Sequence, residues 1–140
     1  MIPKYFNEFN LLGLSRNQRF SLGQNHTNSL TKGLSEPIWD LLDRGGKRWR
    51  PVLCMIIAEM FNRKRNEVYE IAALCEIIHN GTLMIDDIED SSQVRRNKPC
   101  VHLLYGVDVA INAVNFMYFA PMLKILKLKK YKKKILLKLN

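Results

Sequence analysis

One long segment, from Glu67 to Asp90, constrains the fold of this chain more than any other. Its apolar residues Ile71, Leu74, Cys75, Ile78 and Leu83 lie on or near one face of a helix. This spacing follows the period of an α-helix, whereas a half-buried strand would alternate with a period of two. The segment therefore predicts a long helix with one apolar face.

Three further segments predict helices. An apolar stripe begins near Ser29 and ends where the Gly45-Gly46 pair gives a helix stop signal; it consists of Leu30, Leu34, Ile38, Leu41 and Leu42. A second helix should start near Pro51, and a fourth should cover about Val107 to Leu123, interrupted late by Pro121. Residues 1–25 form a loose lead-in without sustained periodicity. Because neither an alternating strand pattern nor an internal repeat is present, the sequence predicts an all-α fold.

Charge is unevenly distributed along the 140 residues, which have a formal net charge of +9. Eight lysines lie beyond residue 123, at Lys124, Lys127, Lys129, Lys130, Lys132, Lys133, Lys134 and Lys138, and no acidic residue follows Asp108. The rest of the chain is nearly neutral. A nucleic-acid-binding domain would spread its basic residues over one face, so we expect no nucleic-acid partner.

Cysteine usage and hydropathy predict a soluble protein in a reducing compartment. Cys54, Cys75 and Cys100 are odd in number and contain no C-x-x-C pair, which argues against a disulfide framework or a zinc site. The N-terminal residues lack the pattern of a secretory signal. No stretch reaches the roughly 18 uninterrupted apolar residues of a membrane span. We therefore expect a cytoplasmic protein, with an organelle not excluded.

Four carboxylates crowd the end of the predicted long helix, in the sequence LMIDDIEDSS. Steps of seven and four place His79, Asp86 and Asp90 on one face, with Asp87 about 100 degrees round the same turn. A solvated helix end and a satisfied core histidine are the structural alternatives. The pattern lacks the alternating acids and central glycine of a calcium loop, whereas magnesium takes one or two carboxylates together with phosphate oxygens. The spacing therefore favours a magnesium site that holds a diphosphate.

Two compact basic sets could supply the donors that a diphosphate needs. GGKRWRP contains Lys47, Arg48 and Arg50, and Arg95-Arg96 follow the acids. Arginine binds phosphate through paired N–H groups, whereas lysine provides a mobile point charge. As structural alternatives, the first set would be helix-end charges and the second would be surface residues.

Taken together, these motifs resemble those of the trans-type polyprenyl synthases, which include geranylgeranyl and farnesyl diphosphate synthases. GGKRWRP, EIIHNGTLMIDDIED and RRNKPCVHLLYGVDVAINAVNFMYF match the N-terminal half of that family in order and spacing, from about Leu30 to Leu123. The resemblance implies an all-α isoprenoid-synthase bundle, usually a homodimer. It also implies a prenyltransferase that joins isopentenyl diphosphate to an allylic diphosphate with magnesium.

The resemblance also implies a role for each motif residue. The catalytic set is Asp86, Asp87, Asp90 and Arg95, of which the three aspartates hold magnesium and Arg95 binds the allylic diphosphate. The set that grips isopentenyl diphosphate is Lys47, Arg50, His79 and Arg96. Gly81 and Thr82, one turn before the aspartates, are small, and no aromatic residue accompanies them to stop a growing tail. This favours a product of geranylgeranyl length or longer.

Beyond Asp90 the sequence contains no second Asp-rich motif, although the family has one. We therefore divide the chain into residues 1–123, the N-terminal portion of a polyprenyl synthase domain, and residues 124–140, a Lys-rich tail outside the resemblance. The tail could be a basic helix that contacts a membrane or a partner, a disordered extension, or a non-native ending.

Two classes of function remain open from the sequence. One is a prenyltransferase, acting alone, as a homo-oligomer or with a partner prenyltransferase subunit. The other is a truncated, non-catalytic diphosphate-binding fragment or regulatory subunit that needs a partner chain. A partial bundle should leave apolar helix faces uncovered.

Overall fold

A computed structural model describes the backbone of residues 31–127 and the side chains of residues 33–123. A π-helical turn, Thr31–Ser35, leads into α1, Glu36–Asp43, and a 3₁₀ turn, Arg65–Glu67, precedes the long central helix. The helices and strands are α1 Glu36–Asp43, α2 Trp49–Met60, α3 Tyr69–Glu89, β1 Val94–Arg95, β2 Lys98–Pro99, α4 Val101–Tyr105 and α5 Val107–Lys127. The all-α prediction is confirmed. The predicted lead-in and most of the Lys-rich tail lie outside the described residues.

The helix boundaries follow from local signals in the sequence. The predicted stop after α1 is confirmed, because Gly45 and Gly46 have φ angles of 83° and 139°, which side chains rarely adopt. The central helix α3 ends within one residue of the predicted Asp90. Periodic apolar residues therefore located the long helices well, since the packing of an apolar face stabilises them.

Proline 121 does not interrupt the last helix, and that prediction is wrong. α5 continues through Pro121 to Lys127. A proline inside a helix removes one backbone hydrogen bond and costs about 3 kcal/mol. Here Pro121 is fully buried, and α5 packs along α3 in the most extensive helix pair of the described structure. The packing of α5 against α3 offsets the missing bond.

A short hairpin between α3 and α4 was not predicted from the sequence. β1 and β2 pair antiparallel, with Val94 opposite Pro99 and Arg95 opposite Lys98. The two turn residues, Arg96 and Asn97, have φ angles of 53° and 62°, as a two-residue type I′ turn requires. Strands of two residues are too short to show an alternating pattern. The turn places Arg95 on a strand and Arg96 at the corner.

The core lies between α1, α3 and α5. Its largest fully buried side chains include Ile38, Leu41, Met84, Val101, Val114 and Met117. α2 packs against α3 on one side but leaves an apolar surface exposed. This surface, here called the α2 apolar face, consists of Val52, Leu53, Ile56, Ile57, Met60 and Phe61. Within residues 31–127, no helix is both long and apolar enough to cross a membrane.

Candidate functional site

The three predicted metal-binding aspartates do not share one environment. Asp86 and Asp90, four residues apart near the C-terminal end of α3, are both exposed. Asp87 faces inward and is only 1% exposed. This arrangement follows from the helix, because adjacent positions are 100 degrees apart. The structure therefore brings two of the three carboxylates to one accessible surface.

Asp87 is paired with Arg95 of the hairpin. Arg95 Nε donates to Asp87 Oδ1 at 2.9 Å and to Oδ2 at 3.1 Å, and Nη2 donates to Oδ1 as well. This hydrogen bonding raises the pKa of Arg95, and burial followed by the Asp87 charge raises the pKa of the Cys100 thiol. Both oxygens of the Asp87 carboxylate therefore bind Arg95, whereas Asp86 and Asp90 are exposed.

The exposed pair fits magnesium better than a cation that needs a closed cage. Among residues 31–127, no three His, Cys, Asp or Glu side chains are arranged around a common metal position. Asp86 and Asp90 provide two carboxylates, which is the number that magnesium typically takes from a protein when phosphate oxygens and water complete its coordination. The donor set therefore fits magnesium carried by a diphosphate.

The first basic set contributes two side chains that lie at the surface. Lys47 is exposed, and Arg50 at the start of α2 is half-buried with its guanidinium 4.5 Å from the centroid of the Trp49 ring. This cation–π contact leaves the N–H groups at the guanidinium edge available for an anion. Both predicted substrate-binding residues are thus placed where a diphosphate could reach them.

The second basic set touches the first. Arg96 is half-buried, and a Cβ added to Gly46 would lie 3.0 Å from Arg96 Nη2. Arg96 Nη1 donates to Leu41 O at 3.1 Å, and Nη2 donates to Asn80 Oδ1 at 2.8 Å. Gly46 therefore lets residues 45–48, here called the GGKR loop, lie directly against Arg96 in the hairpin turn.

His79 lies on α3 between the basic sets and the acidic turn. Burial lowers its pKa most, Arg50 and Arg96 lower it further, and Glu76 and Asp86 act in the opposite direction. Because the pKa falls below the ordinary value of about 6.5, the imidazole is neutral at pH 7. A neutral imidazole can both donate and accept a hydrogen bond, so His79 is suited to orient a diphosphate rather than to neutralise it.

The space beside Gly81 is occupied by an aromatic ring, and the role of Gly81 and Thr82 in product length stays a prediction. A Cβ at Gly81 would lie 2.8 Å from Tyr118 Cε1 on α5. Burial and then the nearby Asp86 charge raise the pKa of the Tyr118 hydroxyl, so the ring lies close to the acidic turn. Thr82 Oγ1 donates to His79 O at 2.7 Å and stays within its own helix. The small size of Gly81 admits Tyr118 from α5, which the local sequence could not reveal.

Two further polar residues belong to this region and were missed. Glu76 is 3% exposed and Asn80 is 0% exposed, one helical turn apart on α3. Glu76 accepts a hydrogen bond from Arg48, and Asn80 accepts one from Arg96. Their i, i+4 spacing inside an otherwise apolar helix was the available signal, because buried polar groups need partners.

Comparison with known proteins assigns this arrangement to a family. The family model described as polyprenyl synthetase matches residues 31–139, which includes most of the Lys-rich tail; the boundary at residue 123 stays a prediction. The geranylgeranyl diphosphate synthase of Saccharolobus solfataricus is 36% identical over 114 residues, which are 81% of this chain and 32% of that protein. The short chain isoprenyl diphosphate synthase of Methanocaldococcus jannaschii is 41% identical over 93 residues, covering 66% of this chain and 28% of the relative.

Solved structures agree with the sequence relatives. The geranylgeranyl pyrophosphate synthetase from the archaeon Geoglobus acetivorans superposes with a TM-score of 0.71 at 27% identity, covering 91% of this chain and 38% of that structure. The chain thus spans about a third of the length of these relatives. Since the family model covers most of the sequence, the chain belongs to the polyprenyl synthetase family.

Proposed function

We propose that this chain is a prenyltransferase that condenses isopentenyl diphosphate with an allylic diphosphate in the presence of magnesium. One observation carries the proposal. The accessible carboxylates of Asp86 and Asp90 lie about two turns beyond His79 along α3, and the Arg50 and Arg96 charges act on His79. Two anionic diphosphates, one carried by a metal and one held by basic side chains, match these adjacent surfaces.

The proposed reaction makes few covalent demands on the protein. The bond between the allylic carbon and its diphosphate oxygen breaks, and the double bond of isopentenyl diphosphate attacks the resulting cation. A proton is then lost, and the product is one isoprene unit longer. The chain supplies positioning and charge stabilisation, and magnesium bound at Asp86 and Asp90 would offset the charge of the departing diphosphate.

Individual side chains have distinct tasks in this proposal. Lys47, Arg50 and the free N–H groups of Arg96 hold isopentenyl diphosphate, and the neutral His79 orients it through a hydrogen bond. Arg95 binds the allylic diphosphate. Because Asp87 engages the Nε and Nη2 edge of the Arg95 guanidinium, its main role in our proposal is to orient Arg95.

The names of the relatives support a product of geranylgeranyl length. The Tyr118 ring beside Gly81 supports a defined limit to the product rather than unrestricted elongation. We also propose association with a second prenyl synthase chain, either another copy or a related subunit. The α2 apolar face supports this, because exposed apolar patches of this kind mark protein contacts.

The direct test is incorporation of labelled isopentenyl diphosphate into geranyl or farnesyl diphosphate by the purified chain. We expect a magnesium-dependent product that disappears in an Asp86→Ala, Asp90→Ala variant. A Glu59→Gln variant is the matched control, because Glu59 is an exposed carboxylate on α2 that pairs with Arg65. A folded chain that binds both diphosphates and gives no product would instead support the non-catalytic subunit.

A further inference from the structure

A series of hydrogen bonds inside the protein links the two basic motifs through residues that have no assigned role. Arg48 Nη1 donates to Glu76 Oε1 at 3.3 Å, and Asn80 Nδ2 donates to the same oxygen at 3.1 Å. Asn80 Nδ2 also donates to Glu76 O at 2.7 Å, while its Oδ1 accepts from Arg96 Nη2 at 2.8 Å. A continuous path therefore runs from Arg48 through Glu76 and Asn80 to Arg96.

Both arginines also bind the C-terminal turn of α1. Arg48 Nη2 donates to Leu42 O at 2.6 Å, and Arg96 Nη1 donates to Leu41 O at 3.1 Å. The last carbonyl groups of a helix lack intrahelical partners and carry partial negative charge, so two cations there are favourable. The two motifs, separated by the whole of α2 and α3, thus meet at one helix end.

Both Arg48 and Arg96 hold this position at a cost in free energy. Arg48 and Arg96 have left-handed φ angles of 51° and 53°, which side chains adopt only when the surroundings enforce them. Burial lowers the pKa of Arg96, and the nearby Arg48 charge lowers it further, so the two cations repel each other. Glu76 is the buried carboxylate that compensates them, and Asn80 relays its bond to Arg96.

The backbone that this network fixes is the one that presents the proposed substrate donors. Lys47 precedes Arg48 directly, Arg50 follows it by two residues, and Gly46 lies against the Arg96 guanidinium. We infer that Glu76 and Asn80 are positioning residues that hold Arg48 and Arg96 at the end of α1. This arrangement places the side chains of Lys47, Arg50 and Arg96 where they bind isopentenyl diphosphate. This inference rests on the proposed function.

Charge alone makes the opposite prediction, which allows a clean test. Glu76→Gln removes a negative charge from beside a diphosphate site, so a purely electrostatic account expects tighter binding of isopentenyl diphosphate. The positioning account expects weaker binding, because the uncompensated arginines separate and the GGKR loop shifts. Loss of a partner that orients a metal ligand typically costs about 10–100-fold in affinity, and we apply the lower end of this range to partners that orient anion-binding arginines.

The experiment measures two dissociation constants by calorimetry on the full chain at fixed Mg²⁺. One ligand is isopentenyl diphosphate, and the other is an allylic diphosphate analogue with sulfur in place of the bridging oxygen. We expect Glu76→Gln to raise the dissociation constant of isopentenyl diphosphate by about tenfold. The dissociation constant of the analogue should not change, because Asp86, Asp90 and Arg95 are not altered. Glu59→Gln, which breaks an exposed arginine pair, should change neither constant.

The other outcomes decide against the inference. Unchanged or tighter binding of isopentenyl diphosphate by folded Glu76→Gln would overturn the inference. An equal loss of affinity for both ligands would also overturn it, because such a loss indicates a general structural role. If Glu76→Gln does not fold, Arg48→Lys decides by the same criterion, since a lysine keeps the charge but cannot reach both Glu76 and Leu42 O in the same geometry. Wild-type chain that binds no isopentenyl diphosphate would overturn the proposed function and this inference with it.

Discussion

Replacing Gly81 by alanine should destabilise the chain, although the same change in most helices stabilises. The added Cβ would lie 2.8 Å from Tyr118 Cε1 and 3.3 Å from Cδ1, closer than carbon atoms normally approach, so the ring or α5 must shift. Overpacking of this kind costs about 1–3 kcal/mol. Alanine is favoured over glycine inside a helix by about 1 kcal/mol, so the net loss for Gly81→Ala is about 0–2 kcal/mol.

A second glycine isolates the contact from the helix preference. A Cβ at Gly33, in the helical turn before α1, would have no atom within 4 Å, so Gly33→Ala should gain the full helix preference and stabilise by about 1 kcal/mol. Urea unfolding followed by helical circular dichroism gives the free energy of unfolding of each variant. We expect Gly81→Ala to be less stable than Gly33→Ala by about 1–3 kcal/mol. Equal stability would refute the close approach of Tyr118.

Further predictions follow from the same region. Tyr118→Ala should lengthen the prenyl product, because it removes the ring beside Gly81; chromatography of the products checks this, and an unchanged length would assign the limit to another residue. Asp87→Asn should lower the free energy of unfolding by about 1.5–3 kcal/mol, the contribution of a charged hydrogen bond, whereas Asp86→Ala should leave it nearly unchanged; denaturant titration compares the two, and equal losses would contradict the assigned environments. For His79, burial lowers the folded-state pKa, so its contribution to stability is complete above about pH 6.5 and falls as the pH drops toward the folded-state pKa. The Tm of wild type should therefore fall more steeply below about pH 6.5 than that of His79→Gln, and parallel curves would contradict this.

Sequence periodicity predicted the helices well, because each long helix is specified by its own apolar residues. It also predicted that Asp87 lies about 100 degrees from Asp86, since this is a property of one helix. The pairing of Asp87 with Arg95 could not be predicted, because it depends on a hairpin too short to leave a pattern. Likewise, Gly81 could be recognised as small, but the residue that fills the space comes from α5.

The role of Glu76 and Asn80 was hidden for a related reason. A buried carboxylate is interpretable only when its partners are known. Arg48 bonds to Glu76 directly, and Arg96 is linked to it through Asn80. The sequence shows which charged residues the chain contains, but it does not show which of them bind other parts of the chain. The structure distinguishes Arg48, which binds Glu76 and Leu42 O, from the exposed Lys47 and from the half-buried Arg50, which stacks on Trp49.

The most direct test of the central claim is the Mg²⁺ dependence of binding of the non-reactive allylic diphosphate analogue to the wild-type chain. We expect the analogue to bind with Mg²⁺ present, to bind far more weakly in a metal chelator, and to lose its Mg²⁺-dependent binding when Asp86 and Asp90 are replaced by alanine. Binding of equal strength with and without Mg²⁺, or unaffected by the two replacements, would contradict the assignment of this helix end as a metal–diphosphate site.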